Sequence, residues 1–306
     1  MRIAINQTKT TNKIMNPQKK HPTTTLSVLV LLMFSIACAP PQPSFDGNRA
    51  LEDVNYQVGL GPRTVGSEAH AQEVDWIVAE LKKSGWQTEI QDLEVGGIDI
   101  RNVVGKRGGT GPWIVLGAHY DTRSTSDRDP NPILRNKPLP GANDGASGVA
   151  VLLELARKLP ENLPLQIWLV FFDAEENNDL LGMDWIMGSR AFVQQLSGKP
   201  TAAIIVDMVG DADLNLYIEK NSDPQLVSAI WEQADKLGFA DTFIAQPKHS
   251  MIDDHRPFLD AGIPAIDIID FDYPYWHTTQ DTLDKISAES LEIVGKTLYA
   301  WLMNMR

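Results

Sequence analysis

Residues Leu163 to Asp173 read Leu-Pro-Leu-Gln-Ile-Trp-Leu-Val-Phe-Phe-Asp and are followed at once by Ala174-Glu175-Glu176. The run is apolar at adjacent as well as alternate positions, so a strand built from it has to bury both faces. That is the signature of a central strand in a mostly parallel sheet covered by helices on either side. Two neighbouring carboxylates at the end of such a strand repel each other and resist burial unless a cation or a shared proton compensates.

The same grammar repeats on either side of this run. Strands are expected at Gln87 to Leu93, Ile98 to Gly105, Trp113 to Ala118, Ala202 to Val206 and Gly262 to Ile269. Ser67 is placed to cap a helix carrying Val74, Ile77, Val78 and Leu81 at helical spacing, with Gly85 as its stop. A glycine-rich turn leads Asn143-Asp144 into a helix with Val149, Leu152, Leu153 and Ala156 on one face, and Ser287 caps a last helix through Trp301. Alternating strands and helices predict an α/β three-layer sandwich around a central mixed, mostly parallel sheet. Sites in that architecture form beyond the carboxyl ends of the strands. His119, Glu175, Glu176 and Asp207 all fall at such ends.

The 306 residues carry a formal charge of −13, which argues against a nucleic-acid partner. Residues 1–37 hold five basic residues (Arg2, Lys9, Lys13, Lys19, Lys20) and no acid, and lead into the apolar run Leu26 to Ala37. That run is shorter than the ~20 residues of a spanning helix, so 1–37 reads as an export signal, with Met15 as an alternative start. Taking those five basic residues off −13 leaves −18. Cys38, the only cysteine, has two readings: the lipid-bearing first residue of a bacterial lipoprotein, or a chance neighbour of an ordinary cleavage site. Residues 38–44 would be a short tether, and 45–306 a single catalytic domain, exported to the periplasm or cell surface. A mature domain without any other thiol has no cysteine nucleophile, disulfide framework or thiolate metal site. Oligomeric state is not legible.

Without thiolates, zinc takes imidazole and carboxylate ligands, and a catalytic zinc keeps one position open. Asp144, Glu176 and His277 offer three ligands from three separate segments. With Glu176 turned to a metal, Glu175 on the same extended segment turns elsewhere, towards substrate as a base. Each acid alone would read as a solvated loop residue. The set reads as a site. Met251-Ile252-Asp253-Asp254-His255, the aromatic loop Tyr273-Pro274-Tyr275-Trp276-His277-Thr278 and His119-Tyr120-Asp121 add ionisable groups, while His21, His70 and His249 are left as background. Gly188-Ser189-Arg190 is expected to open or brace a helix.

The order His119-x-Asp121, Asn143-Asp144, Glu175-Glu176, Asp207, Asp254-His255, His277-Thr278 resembles the co-catalytic zinc aminopeptidases and, more closely, the glutaminyl cyclases (glutaminyl-peptide cyclotransferases), from about Gly61 to Met303. Asp253 before Asp254-His255, Trp276 before His277, and Asp184 followed by Gly188-Ser189-Arg190 follow the cyclase pattern. Asn143-Asp144-Gly145 is peptidase-like, and Asp267 stands near a position where animal cyclases carry histidine. The resemblance implies a zinc-exopeptidase-like fold and one zinc on Asp144, Glu176 and His277. It implies Glu175 as general acid/base, Asp253 and Asp207 in a hydrogen-bonded acid network, and Trp276 and Tyr273 along the substrate pocket. The implied reaction is cyclisation of N-terminal glutamine of peptides or proteins with release of ammonia. An aminopeptidase would instead use two zinc ions, with His119 and Asp207 on the second and Asp144 bridging. An inert, surface-anchored binding protein is the third class.

Overall fold

A computed structural model describes residues 10–13, 45–178, 180 and 182–305. Two units are delimited, Met1–Pro41 and Gln42–Arg306. Of the first, only residues 10–13 are described, as exposed chain without helix or strand. Apart from residues 10–13, the expected export signal, with Met15 and His21, and Cys38 and the tether to Ser44 lie outside the described residues.

In the second unit Gln166–Phe172 forms β4, third in a six-stranded sheet. The order is β1 (Gln87–Val95), β2 (Ile98–Gly108), β4, β3 (Trp113–His119), β5 (Ala202–Asp207) and β8 (Ala265–Ile269). β1 and β2 form a hairpin whose two-residue turn, Gly96-Gly97, takes the positive φ at both positions that such a turn demands. β2 meets β4 antiparallel, and β4, β3, β5 and β8 run parallel to one another. The sheet is mixed and mostly parallel, as the apolar run predicts.

The reason for that run is visible in its alternation. Ile167, Leu169 and Phe171 enter one core, beneath α1 (Gly47–Leu60), α2 (Glu68–Lys83), α3 (Ala146–Lys158), α5 (Pro224–Lys236) and α7 (Ala288–Asn304). Trp168, Val170 and Phe172 enter the other, against Phe192 of α4 (Met187–Gln194) and Phe258 of α6 (Arg256–Asp260). The ring of Phe172 stands edge-on to Phe192 at 5.6 Å and to Phe258 at 6.3 Å. Truncating such a buried ring to alanine costs about 3–5 kcal/mol. Among the described residues no helix is long and apolar enough to cross a membrane.

The expected caps are present: Ser67 accepts from His70 N at 3.1 Å, and Ser287 accepts from Glu289 N and Ser290 N. Three features escaped the sequence reading, namely α1, α5 and the small parallel pair β6 (Leu216–Ile218) and β7 (Phe243–Pro247). α1 buries a stripe at helical spacing, but two of its members are the polar Asp53 and Gln57. Asp53 is neutralised by Arg49 at 2.7 Å and Arg157 at 2.6 Å, and Gln57 donates to Ala146 O at 3.1 Å. Their partners lie mostly far along the chain, so periodicity alone does not reveal the buried face.

Candidate active site

Because β3, β4, β5 and β8 are parallel, their carboxyl ends share one edge of the sheet. Register sets His119 beside Phe172 and Asp207 beside Ile269. The chain leaves β4 through Asp173 and turns sharply at Ala174, whose φ of 53° is left-handed. Asp121 then fixes the next turn: its carboxylate accepts from Glu175 N at 3.0 Å, Glu176 N at 3.3 Å and Asn177 Nδ2 at 3.4 Å. On the other side, Ile186 N, Met187 N and Gly188 N donate to the carbonyls of Glu175, Ala174 and Asp173 at 3.0 Å each. A Cβ on Gly188 would stand 2.1 Å from Asp173 O, so the start of α4 is pinned there by a glycine.

Asp144 is held with equal care. Asp281 accepts from Asn143 N at 2.8 Å and Asp144 N at 3.2 Å, and Tyr273 donates its hydroxyl to Asp281 at 2.7 Å. Arg63, fully buried and paired with Glu73 at 2.9 Å, donates to the carbonyls of Pro140 and Gly141 just upstream. A Cβ on Gly145 would meet His119 O at 2.5 Å, which allows the loop to lie directly on the histidine.

These supports bring five buried side chains together. His277 Nε2 lies 3.1 Å from Glu176 Oε2 and 3.8 Å from Asp144 Oδ2; His119 Nε2 lies 3.3 Å from Asp144 Oδ1 and 3.1 Å from Asp207 Oδ1. The ligand atoms of His119, Asp144 and Glu176 fall within 4.8 Å of one another. Among the described residues Asp144 Oδ2 and Glu176 Oε2 have no hydrogen-bond partner, so the approach of His277 to them is close without being a hydrogen bond. Buried oxygens left orphaned beside imidazole nitrogens fit a divalent metal of the zinc type. Nδ1 of His119 sits 3.1 Å from Asp121 O; a proton there leaves the Nε2 lone pair turned inwards.

Electrostatics separate the two glutamates from Asp144. Burial, then the charge of Asp144, holds the Glu176 carboxyl well above its usual range. Asp144 is also penalised by burial, but the close approach of His119 and Glu176, with the charges of His119 and His277, brings it below that range. Glu175 is raised well above its usual value by burial and by the charges of Glu176 and Asp253. Asp253 is itself pushed up to about 6 by burial and by Asp207. Glu175, Asp253 and Asp207 act on one another through charge, and Asp207 Oδ1 lies 3.1 Å from His119 Nε2, a contact whose donor depends on the tautomer of the histidine.

A cleft of about 310 Å³ opens over these groups, lined by Glu175, Glu176, Asp207, Asp253 and His277 together with Trp185, Met208, Met251, Ile252, Phe271 and Trp276. Trp276 stacks on His277 with ring centres 4.0 Å apart. One expectation needs correction: Tyr273 is not in the cleft wall. It is 3 % exposed and its hydroxyl is committed to Asp281, beneath Asp144. Trp185, Phe271 and Met251 were missed because nothing local marks them as lining. His70 is no bystander either, since it is buried on Tyr120 and pairs with Asp173 at 2.7 Å, one residue before the turn. His249 is partly exposed and pairs with Asp272, and Gly188-Ser189-Arg190 opens α4 as expected.

Ala174, next to Glu175, and the cleft residues Met208 and His277 have φ of 53°, 45° and 55°. Left-handed backbone in non-glycine residues costs on the order of 1–3 kcal/mol each and gathers at functional sites.

A family model described as peptidase family M28 matches residues 102–302. Among curated relatives, a glutaminyl-peptide cyclotransferase-like protein of Bos taurus is 27% identical over 286 residues, covering 78% of this chain and 71% of its own length. Aminopeptidase YwaD of Bacillus subtilis (strain 168) is 32% identical over 281 residues, covering 85% of this chain, which spans only 53% of that protein. Among solved structures, the glutaminyl cyclase of Porphyromonas gingivalis superposes with a TM-score of 0.80 at 33% identity, covering 85% of this chain and 99% of that one.

Proposed function

Because the chain belongs to peptidase family M28, we propose that it is an enzyme converting N-terminal glutamine of peptides to pyroglutamate with release of ammonia. The observation carrying this reading is that Glu175 and Asp253 line one cleft together with Trp276, which stacks on His277. In that reaction the substrate's own α-amine attacks its side-chain amide carbon; a C–N bond forms and ammonia leaves. Both partners belong to one molecule, so the protein's part is to hold the chain in the cyclic pose and carry one proton. Glu175 takes that proton from the amine and returns it to the departing nitrogen. A carboxyl raised by burial and by Glu176 and Asp253 suits both halves of the transfer, since such catalysis peaks when the group's pKa nears the working pH. Asp144, Glu176 and His277 would hold zinc, which when bound supplies Lewis acidity for the amide carbonyl. Trp276, Trp185 and Phe271 wall the cleft with apolar surface and narrow it around a short side chain.

A second reading, metal-dependent aminopeptidase, is favoured by one feature. The two oxygens of Asp144 face different histidines, Oδ1 towards His119 and Oδ2 towards His277, as a bridging carboxylate would. Assays decide between the two. The cyclase reading expects ammonia from glutaminyl peptides, no cleavage of leucine amide, and one zinc per chain. Leucine release without cyclisation, with two zinc ions per chain, would establish the peptidase instead. Export is proposed from the leader sequence alone. Mass spectrometry of the mature amino terminus tests it, and an intact Met1 or Met15 terminus would overturn it.

A further inference from the structure

The turn that follows Asp121 reaches both halves of the metal side. Arg123, itself 6 % exposed, donates Nε to Asp127 Oδ1 at 2.9 Å and NH2 to Asp127 Oδ2 at 3.4 Å, while its NH1 donates to the carbonyl of Glu176. Asp127 Oδ1 in turn lies 3.2 Å from His277 Nδ1. Among the described residues Nδ1 has no hydrogen-bond partner, so this carboxylate stands within ion-pair reach of an otherwise unbonded ring nitrogen. The backbone adds two grips: Arg128 N donates to His277 O at 3.1 Å, and Asp129 Oδ2 accepts from Thr279 N at 3.0 Å. The same turn braces the aromatic wall, with Arg123 5.1 Å over Trp185 and Arg128 5.1 Å over Trp276.

We propose that the Arg123–Asp127 ion pair is a positioning unit that sets metal affinity, holding Glu176 by its carbonyl and His277 by the ring nitrogen turned away from the cleft. Glu176 and His277 arrive from segments about a hundred residues apart, and this pair touches both. A carboxylate accepting at Nδ1 keeps the proton there, which leaves the Nε2 lone pair directed at Glu176 and Asp144. The guanidinium fork serves two acceptors at once, a geometry that lysine does not reproduce. Asp127 is the tractable handle: its side chain is 43% exposed, so truncating it leaves no hole in the core.

This inference rests on the reading of Glu176 and His277 as ligands, and the two can fail separately. Zinc affinity of the full chain is measured by chelator competition for the parent protein and for Asp127→Ala, Asp127→Glu, Arg123→Lys, Glu176→Gln and His277→Ala, alongside melting of the metal-free forms. The expected result for Asp127→Ala is zinc held roughly 10–100-fold more weakly, the usual effect of losing a carboxylate behind a metal-binding histidine. Its metal-free melting temperature should stay close to the parent value. Asp127→Glu should recover part of the affinity, and Arg123→Lys should fall between the parent and Asp127→Ala. Affinity within twofold of the parent in Asp127→Ala overturns the positioning role, as does a loss matched by equal destabilisation of the metal-free protein. If Glu176→Gln and His277→Ala themselves retain full affinity, it is the ligand reading that fails.

Discussion

The two sides of the cleft are built from the same residue types and solve opposite problems. On one side Asp144 and Glu176 meet two histidines, and further carboxylates, Asp121 and Asp281, hold their backbone in place. On the other, Asp253, Asp254 and Asp267 are buried around a single imidazole, His255, which lies 3.4 Å from Glu219 and 3.7 Å from Asp267. Among the described residues both oxygens of Asp254 and of Asp267, and both nitrogens of His255, lack hydrogen-bond partners. Burial, reinforced by their mutual repulsion, pushes Asp254 and Asp267 well above the ordinary carboxylate range. On the first side two imidazoles face the carboxylates; on the second, three acids crowd one imidazole, and burial favours their protonated forms. Glu175 stands on the seam, raised by a neighbour from each side, Glu176 and Asp253.

Breaking the seam should have the largest effect. Glu175→Gln removes the proton carrier and keeps the shape, so turnover should fall by about 10²–10⁴ while zinc content stays at the parent value. A steady-state assay beside metal analysis checks both, and an active Glu175→Gln would remove the distinction between the two sides.

The proton-storing side can be read from stability against pH. Asp253 has a folded pKa of about 6, above its ordinary 3.8. The folded protein therefore binds this proton more tightly than the unfolded chain. Its contribution is fully present below about pH 4 and is lost as pH rises through about 6, on the order of 3 kcal/mol in all. In metal-free protein, denaturant titrations between pH 4 and 7 should show this fall, and Asp253→Asn should flatten it. An unchanged slope would mean that Asp253 does not take part.

On the metal side a smaller perturbation sharpens the contrast. Tyr273→Phe removes one donor from buried Asp281, costing about 1–2 kcal/mol of stability. Zinc affinity should weaken modestly, with the pH profile of turnover unchanged because the proton-storing side is untouched. A shifted profile would show that the two sides are not separable in this way.

How far the sequence carries this picture depends on where a residue's partners lie. β4 was legible because its alternation between two cores is written in eleven consecutive letters, and the strand ends at His119, Glu175 and Asp207 followed from it. α1 was not, because Asp53 and Gln57 break its apolar stripe and are satisfied by partners such as Arg157 and Ala146. Tyr273 illustrates a subtler failure. Four residues from His277, it reads as part of the pocket, yet which way an aromatic turns in a loop depends on what waits for its hydroxyl, and here that is Asp281. His70 looked idle because its partner, Asp173, is 103 positions away.

The unequal cover of the sheet has a consequence for motion. Among the described residues five helices lie on one face, but only α4, of eight residues, and α6, of five, cover the other. Short helices with few buried neighbours are the first to open transiently, and amide hydrogen exchange reports such openings directly. The first amides of α4, Met187 N and Gly188 N, are bonded to the carbonyls of Ala174 and Asp173. Each brief fraying of that helix therefore releases the turn that aims Glu175, so the amides of residues 186–188 should exchange faster than those of α3 and at a rate that tracks the local freedom of the proton carrier.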